Sequence, residues 1–375
     1  RQTLEAMLIA LRAATRFSKR YAAKAREMAN EEKDERRRKE LERIADVCDW
    51  VPSNPARTLH EALQSLFFCN LISKAIECQG QALGDRLDVL MNPFYQADKA
   101  AGRITREEAQ ELVGCLFIKF AERGHLQAPE GAGIYAGSSD VKDITIGGIT
   151  EDREDATNEF SFVILDAAKE NQLPEPTIAL RYHPRISPQL IDKAIDVLRT
   201  GIGYPAFYND SAVIPFLIDH EIPLEEAWDY GITACVTASI PGKNIYPCRA
   251  NSGFISLGKC MELALYQGKD KDSYTGKQLG ARTSDPRTWT CIEDAEEAYL
   301  EQVRFFAERM AEVDRIAQSF VEQYLQRPFA SAIIDGCIEK GKDCSGWEYN
   351  WLHNVLMSGS TNAADSLAAI KKFVF

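Results

Sequence analysis

Apolar positions recur at helical spacing over most of the first 120 residues. Arg1 to Trp50 reads as helix, with Leu4, Leu8, Leu11 and Thr15 as the buried stripe of its first part. Glu31 to Arg43 is a charged, solvated face. Glu32–Arg36, Asp34–Arg38 and Glu35–Lys39 stand there as acid-then-base pairs at i,i+4. Pro52 to Pro55 breaks the helix, and Thr58-Leu-His-Glu61 has capping-box spacing for a helix to about Glu77. Gly80 to Pro93 reads as loop. Helices follow over Pro93–Ala101 and, after an N-cap at Thr105, to Glu122, and His125 to Asp140 reads as loop.

The pattern then alternates. Short apolar runs at Asp143–Ile149, Thr177–Tyr182 and Pro205–Tyr208 predict strands. Between and after them, Asp155–Asn171, Ser187–Thr200, Ser211–His220 and Leu224–Trp228 predict helices. This rhythm argues an α/β architecture with buried strands. Cys235 to Asn251 has little periodicity and reads as a loop containing Pro241 and Gly242. Helix is expected over Gly253–Tyr266, a turn over Pro286–Thr290, and a long helix over Ile292–Tyr324. The long helix carries a stripe of Ala295, Ala298, Val303, Phe306, Met310, Val313 and Ile316.

Composition narrows the function classes. The 375 residues are 45% hydrophobic, ample for a large core. Their formal net charge of −12 disfavours nucleic acid and anionic membranes as partners. The richest apolar runs, Leu63–Ile72 and Leu112–Phe120, are interrupted by Gln64, Asn70 and Lys119, so no spanning helix is expected. No signal peptide is expected either, and the ten cysteines include no CxxC pair. They predict free thiols in a cytoplasmic compartment, each by default a small buried hydrophobe. Residue 1 is Arg, and Asp365 to Phe375 reads as an amphipathic helix with no stop signal. The chain is therefore expected to be a piece of a longer protein, cut at both ends.

Ordinary catalytic signatures are sparse. The five histidines form no HExxH or HxH, and no zinc-spaced Cys/His cluster, Walker A, GxGxxG after a strand or GxSxG occurs. No metal site is expected. One segment stands out: Ile232-Thr-Ala-Cys235-Val-Thr237-Ala-Ser-Ile-Pro-Gly-Lys243. It sets a thiol at the end of the strand–helix alternation, where α/β folds place their sites.

Several stretches in order resemble the glycyl radical enzymes, the superfamily of pyruvate formate-lyase. They are Pro55-Ala-Arg-Thr-Leu-His-Glu-Ala-Leu-Gln64, Gly84-Asp-Arg-Leu-Asp88, Asn92-Pro-Phe-Tyr-Gln-Ala-Asp98 and Gly102-Arg-Ile-Thr-Arg-Glu-Glu-Ala109. Gly147-Gly-Ile-Thr, Asp155-Ala-Thr-Asn-Glu159, Leu173-Pro-Glu-Pro176, Gly203-Tyr-Pro-Ala-Phe-Tyr-Asn-Asp210 and Asn362-Ala-Ala-Asp-Ser-Leu367 complete the series.

The resemblance implies an α/β fold: a ten-stranded barrel of two five-stranded half-barrels wrapped by helices, incomplete in this chain. It divides the chain into an N-terminal helical segment, 1–54, and a barrel domain, 55–375, with a finger loop at about 230–251. Cys235 matches the catalytic cysteine of that loop, which becomes a thiyl radical and abstracts hydrogen from, or adds to, a small organic substrate. An enclosed pocket protects such a radical from water and dioxygen. No bound cofactor is implied. The oxidant is a protein glycyl radical, installed by a radical S-adenosylmethionine activating enzyme. Its Arg-Val-x-Gly-Tyr/Phe motif does not occur in this sequence. A homodimer is expected.

Ala234 precedes Cys235 where pyruvate formate-lyase has a second cysteine, which disfavours two-thiol acyl transfer. The dehydratase, choline-lyase and arylacetate-decarboxylase branches carry Cys-x-Glu, whereas Thr237 stands here and does not titrate near neutral pH. That resembles the Cys-x-Ser-Pro of fumarate-adding enzymes and leans the expectation towards them. A formate-lyase type, a dehydratase type and a non-catalytic barrel are the alternatives, and a cysteine hydrolase a remoter one. Arg249 and Lys243 are candidate carboxylate anchors. Asn209 and Asp210 are candidates to line the pocket, and Arg86 to hold a core carboxylate such as Asp88. His183 reads as structural. Trp347, Trp351 and His353 read as core rather than an aromatic wall. The chain alone, lacking the glycine motif, is expected to be inactive. Turnover assayed with an activase but without any added glycine-bearing segment checks this, and measurable turnover contradicts it.

Overall fold

The computed structural model describes residues 1–77, 86–122, 143–233, 237–243, 253–271, 276–346 and 355–375. It divides into two compact units, Arg1–Cys248 with Arg327–Tyr349, and Arg249–Gln326 with Asn350–Phe375.

The first unit opens with helices α1 (Gln2–Glu31) and α2 (Glu35–Trp50), where the sequence suggested continuous helix. Asp34 makes the break. Its carboxylate accepts a hydrogen bond from Arg37 N at 2.8 Å and so starts a new helix. That use removes Asp34 from the expected pairing with Arg38, while Glu35–Lys39 forms at 3.4 Å. The buried stripe of α1 is also not the expected one. Met7, Ala14, Ser18, Ala22, Ala25 and Ala29 are buried, and Leu4, Leu8 and Leu11 are exposed. Small side chains let α2 pack closely through Leu41, Ala45 and Cys48, so proximity outweighs side-chain size.

Helix α3 (Leu59–Leu71) starts at the expected cap, Thr58, and runs into a π-helical turn over Ile72–Ile76. Helix α4 (Leu87–Ala100) starts six residues before the expected Pro93. Its buried face, including Leu87, Met91 and Tyr95, extends back through the proline's turn, and that packing offsets the lost backbone bond. Helix α5 (Arg106–Ala121) has the complete Thr105/Glu108 capping box.

The sheet follows. Strands β1 (Asp143–Gly147), β2 (Thr177–Tyr182) and β3 (Ala206–Asn209) are parallel and in sequence order. They are joined by α6 (Glu159–Asn171) and α7 (Pro188–Leu198). The register aligns Ile144 with Ile178 and Leu180 with Phe207. Ile144, Ile146, Ile178 and Leu180 are buried with Phe160, Val163 and Ile164 of α6 and with α3 to α5. Coverage on both faces explains why β1 and β2 read as short apolar runs, whereas β3, expected to be buried, is largely exposed, with Phe207 44% exposed. The last strand leads into α8 (Asp210–Asp219) and α9 (Leu224–Ala227). Then come β4 (Gly231–Thr233) and β5 (Thr237–Ser239), an antiparallel pair inside the expected loop. The returning segment packs Ala330, Ile334, Cys337 and Cys344 on Met7.

In the second unit β6 (Gly253–Ser256) pairs in parallel with β7 (Val355–Ser358). The expected helix from Gly253 therefore starts only at Leu257, as α10 (Leu257–Leu265), because a partner a hundred residues away captures the first turn. The long helix α11 (Ile292–Tyr324) has the expected bounds. Its buried line runs through Ala295, Ala298 and Gln302 but then through Asp314, Gln318 and Val321, leaving Val313 and Ile316 exposed. A final helix, α12, covers Ser360–Phe373. The α/β class is as expected. The described residues hold seven strands in three sheets, so the ten-stranded barrel is not what they display. Among them, no helix is long and apolar enough to cross a membrane.

His60 on α3 supplies a pH-dependence. Burial, with the Arg43 charge nearby, pulls its imidazole from 6.5 down to about 4. The unfolded chain then binds a proton that the folded chain refuses. Stability is full above about pH 6.5 and falls as the pH drops towards 4. Urea midpoints measured across that range should show this slope, and His60→Leu should flatten it.

Candidate active site

The carboxyl ends of β1 and β2 carry polar groups that a buried parallel sheet would ordinarily exclude. Arg181, near the end of β2, is 0% exposed. Its guanidinium grips Asp210, the first residue of α8, bidentately: Nε to Oδ1 at 2.9 Å and Nη2 to Oδ2 at 3.0 Å. Its remaining donors reach Tyr230 O and Trp228 O, each at 2.8 Å. The guanidinium also stacks on the Tyr230 ring, 3.9 Å from its centroid. The Tyr230 hydroxyl donates to Asp210 Oδ1 at 2.7 Å. Burial, first of all, raises that phenol above its ordinary range.

Gly148 makes room for this cluster. Its φ is +77°, and a Cβ there would lie 2.6 Å from Arg181 Cζ. Beside it, Arg86 is 2% exposed and donates to Asp229 Oδ1 at 2.8 Å and to Ile149 O at 3.1 Å. The expected direct Arg86–Asp88 hold is not the arrangement found. Asp88 accepts from Ser161 Oγ at 2.6 Å, Gly147 N at 2.8 Å and Val89 N at 2.9 Å, and so joins α4, α6 and β1. Burial raises both the Asp88 and Asp229 carboxyls, against the pull of Arg86.

Thr145, in the middle of β1 and 0% exposed, completes the arrangement. Its Oγ1 accepts from Ile232 N at 2.8 Å and donates to Ile232 O at 3.4 Å. Residues 228–232, which lead towards Cys235, are thus held at Trp228, Asp229, Tyr230 and Ile232 by side chains of α8, β1, β2 and the residue before α4.

Cys235 and Arg249 lie outside the described residues, as do Trp347, Trp351 and His353. Thr237 is half-buried and faces Thr233 across the β4–β5 pair. Asn209 is exposed, and its Oδ1 accepts from Ser211 N at 3.0 Å, capping α8. Lys243 Nζ lies 3.7 Å from Glu226. Asp210, an expected pocket residue, is instead buried in the Arg181 pair. His183 is structural: its Nδ1 accepts from Arg185 N, and Nε2 faces Asp155 at 3.3 Å. Cys48 and Cys69 are thiols that burial pushes up to about 11, as befits inert core residues. Sequence reasoning did not single out Thr145, Arg181 or Tyr230. A polar residue within an otherwise apolar strand was the signal that could have found the first two.

The whole chain, residues 1–375, matches the family model described as pyruvate formate lyase-like. The chain belongs to the pyruvate formate lyase-like family. It is 35% identical to trans-4-hydroxy-L-proline dehydratase of Clostridioides difficile over 99% of this chain and 47% of that protein. It is 32% identical to isethionate sulfite-lyase of Nitratidesulfovibrio vulgaris over 100% of this chain and 46% of that one. A solved structure concerned with 1,2-propanediol dehydration in Roseburia inulinivorans superposes with a TM-score of 0.91 and 32% identity, over 100% of this chain and 46% of that chain. The chain spans about half the length of the curated relatives it matches. These relatives are glycyl radical enzymes, a family whose radical is installed by a radical S-adenosylmethionine activase. They are dehydratases and carbon–sulfur lyases rather than fumarate-adding enzymes, so the lean drawn from Thr237 finds no support among them.

Two substitutions probe the cluster. Gly148→Ala pushes a methyl group into a guanidinium that cannot yield. Asp210→Asn leaves Arg181 buried without its counter-charge. Each should lower unfolding free energy by about 3 kcal/mol or more, read by chemical denaturation.

Proposed function

We propose that this chain carries the thiyl-bearing part of a glycyl radical lyase that eliminates a leaving group from a small polar substrate. Cys235 is the radical carrier. The observation that carries the reading is the buried mooring of residues 228–232, which end three residues before Cys235 at the carboxyl ends of a parallel sheet. The family membership and the dehydratase and sulfite-lyase relatives support the same reading.

A glycyl radical supplies the oxidising equivalent by taking the hydrogen atom of the Cys235 thiol. The Cys235 sulfur radical then takes a hydrogen atom from a substrate carbon, so an S–H bond forms as the C–H bond breaks homolytically. The carbon radical expels a neighbouring oxygen or sulfur group with its electron pair while the hydroxyl or amino group on the radical carbon gives up a proton, which departs with the leaving group as water or protonated sulfite and leaves a neutral product radical. The product radical takes the hydrogen atom back from Cys235, which leaves the sulfur radical ready for another turnover. An enclosed site without water protects each radical.

Thr237 is assigned a hydrogen bond to the leaving group or its neighbour, because a hydroxyl can donate but not titrate near neutral pH. Arg249 is assigned to a substrate carboxylate or sulfonate, which a guanidinium holds bidentately. Asn209 is placed as a further polar contact at the end of β3. A radical S-adenosylmethionine activase and a second copy of the protein are the proposed partners. Addition of a hydrocarbon to fumarate is a second reading. It rests on Thr237 standing where the dehydratase branch has a titratable glutamate.

The test is anaerobic activation of the full-length protein, followed by turnover with 1,2-diols, hydroxyproline and isethionate, and with toluene plus fumarate. Elimination should occur with one of the first group. Cys235→Ala should retain the glycine-centred doublet in electron paramagnetic resonance and lose turnover by at least about 10⁴-fold, as expected for a covalent reaction partner. Turnover that needs no activase and tolerates dioxygen contradicts the reading.

A further inference from the structure

Thr145 and the Arg181–Asp210–Tyr230 cluster are buried and direct their bonds onto one short stretch of chain. We infer that they are positioning residues that set where the Cys235 sulfur stands, an inference that rests on the radical role proposed for Cys235. Among the described residues, strand β4 has three residues and pairs with the three of β5. A two-stranded pair of that length does not hold its own register.

The side chains around it hold that register. Thr145 brackets the peptide of Ile232 by bonding both its N–H and its C=O. A one-residue slip would turn both groups away from it, since it moves a strand by about 3.4 Å and reverses its faces. Arg181 takes the carbonyls of Trp228 and Tyr230, two residues apart, so a slip would break both bonds together. Asp210 fixes the guanidinium from one side and the Tyr230 hydroxyl from the same carboxylate. Gly148 makes room for the guanidinium in this position, since a Cβ there would lie 2.6 Å from its Cζ. The same strand is therefore held from β1 and from β2. Cys235 follows Ile232 by three residues in the sequence, so holding Ile232 bounds the reach of its backbone through chain connectivity alone. Hydrogen-atom transfer needs near contact between sulfur and carbon, and misplacement of about 1 Å can cost 10²-fold in rate.

The experiment uses full-length protein activated anaerobically. Thr145→Val keeps the shape and β-branching of the side chain and removes both bonds to Ile232, and Thr145→Ser restores the hydroxyl. Tyr230→Phe, a second variant, removes only the phenol bond to Asp210. The measurements are glycyl-radical spins per chain, kcat and KM. Thr145→Val should lower kcat by about 10- to 100-fold, with spins and KM within about twofold of wild type. Thr145→Ser should recover most of that loss, and Tyr230→Phe should lower kcat less than Thr145→Val. A Thr145→Val kcat within about twofold of wild type, while Cys235→Ala is dead, overturns the positioning role. So does a loss of turnover that only follows lost spins, or one that serine does not rescue. Should Thr145→Val fail to fold, the Tyr230→Phe comparison decides: an unchanged kcat at full spin overturns the role. Turnover by Cys235→Ala overturns the reading of Cys235 itself, a separate outcome.

Discussion

The buried ion pair between Arg181 and Asp210 is the constraint on which the site end of the first unit depends. A guanidinium without water must satisfy its donors inside the protein, and each donor fixes something. One edge fixes the start of α8, through Asp210. The remaining donors fix the approach to β4, through the carbonyls of Trp228 and Tyr230. One side chain thereby ties the end of β2, the start of α8 and the strand leading to Cys235 into one body. A buried pair of this kind adds little net stability over an apolar replacement, but breaking it is expensive. Its value lies in geometry. The pair makes alternative registers of the strand costly where hydrophobic packing would tolerate them.

The family stretches take on physical roles in this light, and most are scaffold. In Asp155-Ala-Thr-Asn-Glu159, Asp155 accepts from Thr157 and Ser187, and Asn158 caps α6. Glu159 accepts from Tyr95 and Lys99 of α4. In the Gly147-Gly148 pair, the second glycine makes room for Arg181. Asp98 of the Asn92 stretch accepts from the backbone of Leu59 at 2.7 Å, which ties α3 to α4. Asp166 on α6 pairs with both Arg106 on α5 and Lys193 on α7. The charged residues of these stretches thus join helices and strand ends.

Much of this was legible in the sequence. The alternation of short apolar runs with amphipathic stretches located β1 to β3 and their helices to within about four residues, because strands buried on both faces, such as β1 and β2, and helices with one apolar side leave local signatures. Caps at Thr58 and Thr105 and the bounds of the long helix were likewise local. The α1 stripe was misread because close helix approach favours alanine over leucine, a property of the pair rather than of either helix. The strand at Gly253 was misread because its partner, Val355 to Ser358, lies far along the chain.

For the site, the sequence alone determined the residue types and the order of the family stretches, and it singled out Cys235 as the candidate thiol. It could not determine that Thr145 brackets Ile232, or that Arg181 and Tyr230, forty-nine residues apart, share one carboxylate. Only the tertiary structure decided those. A hydrogen bond depends on distance and direction between groups that folding brings together, and no local periodicity records it.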